Sequence, residues 1–193
     1  MQGGFAAYAR SGFFQLVLVA LITILVELPA LTMCASNQAL RVLCVIVSLL
    51  TMVMDVSAFM RMRLYILTYG LTLLRVLTMW AMGVIAAVLG LIIAKCIRQP
   101  LKLSPILMTI VLCSWVALNY TNVSARIADY NVAAYNSGAL AVLDVDYLAE
   151  LSPDVRPALA RVENPEVRAE ALERVPGYAG QDDWYYWNLG DTK

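Results

Sequence analysis

The sequence predicts an all-α fold, four transmembrane helices followed by a small acidic helical C-terminal module, and three observations predict it. First, 61% of the 193 residues are apolar and 15% are charged, with a mean hydropathy of +0.71; soluble domains carry roughly 25% charged residues. Second, residues 1–119 contain four apolar stretches long enough to cross about 30 Å of hydrocarbon, which takes about 20 helical residues. Third, the charge is divided. Residues 1–119 carry eight Lys/Arg against two Asp/Glu, whereas residues 120–193 carry six against twelve. The net charge of zero is the sum of a +6 part and a −6 part. The expected domains are therefore a transmembrane region, 1–119, and a water-soluble helical tail, 120–193.

The first span is expected over residues 12–34. Its apolar run exceeds the 7–15 residues of a signal-peptide core, and bulky Met33 stands where a lipoprotein cleavage box needs a small residue, so a retained span is expected. Glu27 lies about two thirds of the way through it, and Pro29 offers no N–H to the carbonyl of Leu25. A bond from Glu27 to a hydroxyl such as Thr32 is the expected arrangement. The second span, 39–60, holds Asp55 near its end. The third, 71–94, follows Tyr65 and Tyr69 at the interface, with Arg75 four residues inside. Both charges then lie roughly 6–8 Å below one membrane face, which predicts an Asp55–Arg75 ion pair, with Arg61 and Arg63 as competitors. The fourth span, 101–118, opens on Lys102 and Pro105 and either starts late or lets Lys102 snorkel. Trp115 and Tyr120 mark its far end.

The tail reads as helices. Residues 122–135 place Val123, Ile127, Tyr130 and Ala134 at helical spacing, and 144–151 offers Tyr147, Leu148 and Leu151. Ser152-Pro-Asp-Val-Arg156 recurs as Asn164-Pro-Glu-Val-Arg168. Each copy has a capping residue, a proline at the first helical position and an acid in the first turn, which predicts helices over 153–162 and 165–175. Two copies are too few for a solenoid. Near the end, Trp184, Tyr185, Tyr186 and Trp187 form an aromatic cluster expected to dock onto these helices.

Composition excludes much chemistry. The chain has no histidine, which removes Ser-His-Asp and Cys-His catalysis, histidine-ligated zinc or haem and an imidazole switch. Cys34, Cys44, Cys96 and Cys113 lie in or beside apolar runs with no C-x-x-C pair, so they read as buried thiols. There is no Gly-rich phosphate loop and no G-x-S-x-G elbow. No catalytic residue, cofactor, metal site or nucleic-acid partner is expected; the lipid bilayer is, together with a protein partner for the tail.

Orientation nearly ties. With four spans, Arg10, Arg61, Arg63 and Arg126 share one side, and Arg41, Lys95, Arg98 and Lys102 the other. The dense Lys95-x-x-Arg98-x-x-x-Lys102 loop is expected to be cytoplasmic, which puts the tail outside the cell membrane.

Several ordered motifs resemble a known family. Residues 8–16 (Tyr-Ala-Arg-Ser-Gly-Phe-Phe-Gln-Leu), Arg63-Leu64-Tyr65 with Tyr69-Gly70-Leu71-Thr72 and Arg75, Asn122 with Ala125, Ile127, Ala128, Tyr130 and Asn131, Leu143-Asp144 with Tyr147-Leu148, and Asp183-Trp184 with Trp187-Asn188-Leu189 are similar to stations of bacterial multi-pass proteins catalogued as domain of unknown function 4173 and the related 4153 group. The resemblance implies membrane location without a known activity. It also implies a C-terminal portion or a shortened member, since members usually carry further spans before the first station. Gln15 departs from the Glu expected there. Within it, Tyr65, Tyr69, Gly70, Thr72 and Arg75 form the first station to test, and Arg61, Arg63 and Arg75 could hold a ligand or lipid headgroup. Asn122, Asn131, Trp184 and Trp187 complete the candidates.

The expected function is that of a non-enzymatic membrane scaffold, sensor or assembly partner. The alternative is a transporter or channel component using Glu27, Asp55 and Arg75.

Overall fold

A computed structural model describes residues 2–33, 37–98 and 101–175, with side chains described over 15–31, 37–98 and 101–175. The described residues are helical, with no strand. Four long helices come first: α1 (Gln2–Met33), α2 (Gln38–Tyr69), α3 (Leu73–Ile97) and α4 (Leu103–Tyr120). Shorter ones follow: α5 (Val123–Asn136), α6 (Val145–Ala149), a 3₁₀ turn (Pro153–Val155), α7 (Arg156–Leu159) and α8 (Pro165–Arg174). Three helices, α2, α3 and α4, are long and apolar enough to cross a membrane, while the apolar run described within α1 is Gln15–Leu31.

Two compact units result. One is Met1–Leu64 with Leu77–Ala117; the other is Tyr65–Val76 with Leu118–Lys193. The segment joining α2 to α3 thus belongs with the tail. α2 runs past residue 60, where its span was expected to end, because nothing before Gly70 breaks it: residues 61–69 contain neither Gly nor Pro.

In the first unit the buried residues step by three and four along each helix. They are Ala20, Ile24, Glu27 and Leu31 on α1; Cys44, Ser48, Thr51, Asp55 and Ala58 on α2; and Met82, Ile85, Leu89, Ile92 and Cys96 on α3, where Val88 beside Leu89 is buried as well. This is the 3.5-residue rhythm of helices packed along a seam. The seam is more polar than the outside. Glu27, Ser48, Thr51 and Asp55 are buried, whereas Leu25, Leu50 and Val53 are 69%, 63% and 68% exposed. In water that arrangement would be costly; in hydrocarbon, which solvates leucine and not carboxylates, it is the stable one. α4 presents most of its surface outward and meets α3 through Trp80, whose indole N–H donates to the Ser114 carbonyl at 3.2 Å and whose ring meets Trp115 edge-on at 5.8 Å. α4 starts late, at Leu103, after Lys102.

The second unit has its own apolar core, including Ile127, Val132, Leu148, Val155, Leu159, Val162 and Ala171, against which Leu71 and Val76 pack. Its helices start where capping side chains stand. Asn122 Oδ1 accepts from Ala125 N, Asp144 Oδ1 from Tyr147 N, and Asn164 Oδ1 from Glu166 N. The two repeats do not form equal helices. The expected helix over 153–162 shrinks to the 3₁₀ turn and α7, because Pro153 and Pro157 leave two backbone donors missing within five residues. The repeats instead brace one another. Arg156 donates to the carbonyls of Leu172 and Val175 at the end of α8, and Arg168 to the carbonyl of Val162 beyond α7. Each guanidinium thus meets the negative end of the other copy's helix. Surface ion pairs Arg161–Asp129, Arg174–Asp146 and Arg174–Glu170 add little by comparison.

Leu159→Ala removes a fully buried side chain and is expected to destabilise the tail module by about 2–5 kcal/mol. Val142→Ala, at a 75% exposed position, should cost under about 0.5 kcal/mol. Denaturant titration of the full chain in detergent, followed by tyrosine and tryptophan fluorescence, measures both.

Candidate functional site

The helix break between α2 and α3 has to be made without leaving its peptide groups bare. Gly70 closes α2, its N–H donating to the Ile66 carbonyl at 2.8 Å, with φ at +77°. That left-handed conformation is open to glycine at little cost. A Cβ there would also meet Asn131 Oδ1 at 2.9 Å. The reason for this close approach is that the Asn131 carboxamide from α5 bonds the next residue in both directions. Leu71 N–H donates to Asn131 Oδ1 at 2.6 Å, and Asn131 Nδ2 donates to the Leu71 carbonyl at 2.9 Å. The side chain thus pairs with one residue's backbone as a neighbouring strand would. Asn131 is 6% exposed, so these bonds are made largely out of water.

Neighbouring groups complete the corner. Leu73 N–H donates to Tyr147 Oη at 2.7 Å, and the Thr72 carbonyl accepts the first helical bond of α3 from Val76 N. Arg75 folds back, donating to the carbonyls of Tyr69 and Gly70. Its guanidinium lies 4.5 Å from the centre of the Tyr65 ring, and Tyr65 stacks on Tyr69 at 4.7 Å. A cation over an aromatic face that also neutralises the carbonyl end of α2 is doubly favoured.

Arg75 was expected to pair with Asp55; the partners the structure gives it are the Tyr69 and Gly70 carbonyls and the Tyr65 ring. Arg75 answers the carbonyls of the helix break five and six residues before it, which depth arithmetic across two ideal spans could not register. Asp55 lies instead on the buried seam of α2 with Ser48 and Thr51. Glu27 does take a hydroxyl partner, Ser48 Oγ at 2.8 Å on α2; the side chain of Thr32, the partner expected on its own helix, lies outside the described residues. Its other carboxylate oxygen, Oε1, is buried without a hydrogen-bond partner.

Arg61 and Arg63 stand exposed on α2. Asn122 caps α5. Trp184 and Trp187, with the rest of the terminal aromatic cluster, lie outside the described residues, as do Cys34 and the side chains of residues 8–14. Among the described residues no three Cys, Asp or Glu gather closely enough to hold a metal ion. Of the sequence candidates, the structure brings together Tyr65, Tyr69, Gly70, Thr72, Arg75 and Asn131; it adds Tyr147, Ser48 and Thr51. The spacing of Ser48, Thr51 and Asp55 by three and four was the available signal for the last two.

Tyr65, Tyr69, Gly70, Leu71, Thr72, Arg75, Asn131 and Tyr147, which build the corner, all sit in the stations that carry the family resemblance. The model of a family described as Domain of unknown function (DUF4153) matches residues 1–162. The chain belongs to that family. No curated protein and no solved structure matches it. In this DUF4153 member the matched region extends through the corner, α5, α6 and α7, so it takes in both partners of the Asn131–Leu71 contact.

Gly70→Ala and Asn131→Ala should each destabilise the second unit, by about 1–3 kcal/mol, through strain at φ +77° and through loss of two buried bonds. Their effects should not add, because Asn131→Ala removes the atom that the new methyl strikes. A double-mutant cycle by thermal unfolding should show a coupling of at least about 0.5 kcal/mol.

Proposed function

We propose that this DUF4153 protein is a non-enzymatic multi-pass protein of the cell membrane, acting as a scaffold, sensor or assembly partner through contact of its helical tail with another protein. What supports the reading is the corner: residues 65–76 belong to the tail's own compact unit, and the same helices continue from it as the apolar α2 and α3. A partner that strains or steadies the module therefore acts on the reversal between two membrane helices. The missing histidine and the structural employment of Arg75 and Asn131 favour transduction over catalysis. On this reading the Lys95, Arg98 and Lys102 loop is cytoplasmic and the module lies on the opposite side of the membrane.

The buried seam favours a second reading. Glu27, Ser48, Thr51 and Asp55 are polar groups inside an apolar bundle, a composition that ion and proton paths require. A transporter or channel component would use Glu27 and Asp55 for it; Arg75, held in the other unit, drops out.

Crosslinking in intact cells followed by purification should recover one reproducible protein on the tail, lost with Asn131→Ala while the membrane level of the chain is kept. Proteoliposomes discriminate the second reading: cation or proton flux abolished by Glu27→Gln or Asp55→Asn would replace the scaffold assignment.

A further inference from the structure

The first unit contains a cavity of about 740 Å³ where α3 ends and α4 begins. Leu28 and Leu31 of α1, Lys95 in the last turn of α3, and Lys102, Ser104 and Leu107 at the start of α4 line it. The geometry points to a binding site for the phosphate headgroup of an anionic phospholipid.

Three properties carry the assignment. The cavity is cationic on one side: two lysines line it, and between Asp55 and Asp129 the sequence holds no acidic residue, so α3, α4 and their connecting loop contribute positive charge alone. Lys95 is also fixed in place, its Nζ donating to the Leu101 carbonyl at 2.7 Å, which holds an ammonium and the loop backbone in one position.

Next, α4 begins at this wall. The backbone N–H groups of Leu103 and Ser104 belong to its first turn, and the Lys102 side chain, standing before them, has no acceptor with which to cap them. An anion in the cavity would meet these donors, the Ser104 hydroxyl and two ammonium groups together.

The third property distinguishes a lipid from a free anion. Leu28, Leu31 and Leu107 form an apolar wall, Leu107 on α4, one of the helices long and apolar enough to cross a membrane. The lysines lie where α3 ends and α4 begins, hence at the membrane interface, the depth of a phospholipid phosphate. A soluble phosphate would use the cationic side and leave the leucines in water. A phospholipid covers both, and a volume of this size falls in the range of ligand sites. Arg61, Arg63 and Arg75, where a headgroup was first expected, offer no such combination: two are exposed on α2 and the third serves the corner.

The test uses the full chain, extracted from membranes and reconstituted in nanodiscs of phosphatidylcholine with and without phosphatidylglycerol, and reads lipid retained on repurification by mass spectrometry alongside the unfolding midpoint. Phosphatidylglycerol should be retained over phosphatidylcholine and raise the midpoint. Lys102→Gln should lower that retention roughly fivefold, the effect of one interfacial charge; Lys102→Arg should restore it, and Arg98→Gln, outside the cavity lining, should leave it unchanged. Equal retention of the two lipids overturns the proposal, as does indifference to Lys102→Gln. So does equal protection by inorganic phosphate in detergent, which would assign the site to a soluble anion.

Discussion

A chain that crosses hydrocarbon and turns back must interrupt its helix, and every peptide group released by the interruption needs a partner. At residues 70–73 those partners come from far along the sequence: Asn131, sixty residues on, for Leu71, and Tyr147, seventy-four residues on, for Leu73. The α2–α3 reversal is therefore part of the tail's core. Leu71 and Val76 pack on the same apolar cluster as Ile127 and Leu148, so ordering the tail and ordering the corner are one event.

α5 uses this device twice. Asn136, a turn and a half beyond Asn131, donates through Nδ2 to the Arg161 carbonyl and accepts at Oδ1 from Glu163 N–H, clamping the turn between the two Pro-Val-Arg repeats. Carboxamides suit the task because one planar group offers both a donor and an acceptor, which a hydroxyl or a carboxylate cannot match in that geometry. Arginines do the complementary work. Arg75, Arg156 and Arg168 each spend their donors on carbonyls at helix ends, where the backbone has acceptors to spare.

The first unit obeys the opposite solvent. Its outward residues are apolar and its inward seam carries two carboxylates and two hydroxyls. Ser48 satisfies one oxygen of Glu27, and the other is buried without a hydrogen-bond partner among the described residues, a cost that a purely structural bundle would avoid by placing an apolar side chain there. This is the physical reason for keeping transport as a second reading beside the scaffold.

Much was legible in the residues alone. Hydropathy over 18 or more residues names a solvent, so the long apolar helices followed from composition; helical spacing placed the starts of α5 and α6, and a capping residue with its following proline that of α8, each within a residue. These are local properties, carried by neighbouring residues and readable in order. Gly70 and Arg75 were also singled out, in one station, with Asn131 standing apart from them along the chain. What only the tertiary structure decided was their meeting: that Arg75 bonds carbonyls rather than Asp55, that Asn131 pairs with Leu71, and that Glu27 finds Ser48. A donor's choice among distant acceptors depends on which backbone groups the fold leaves unbonded. No spacing along the sequence records that.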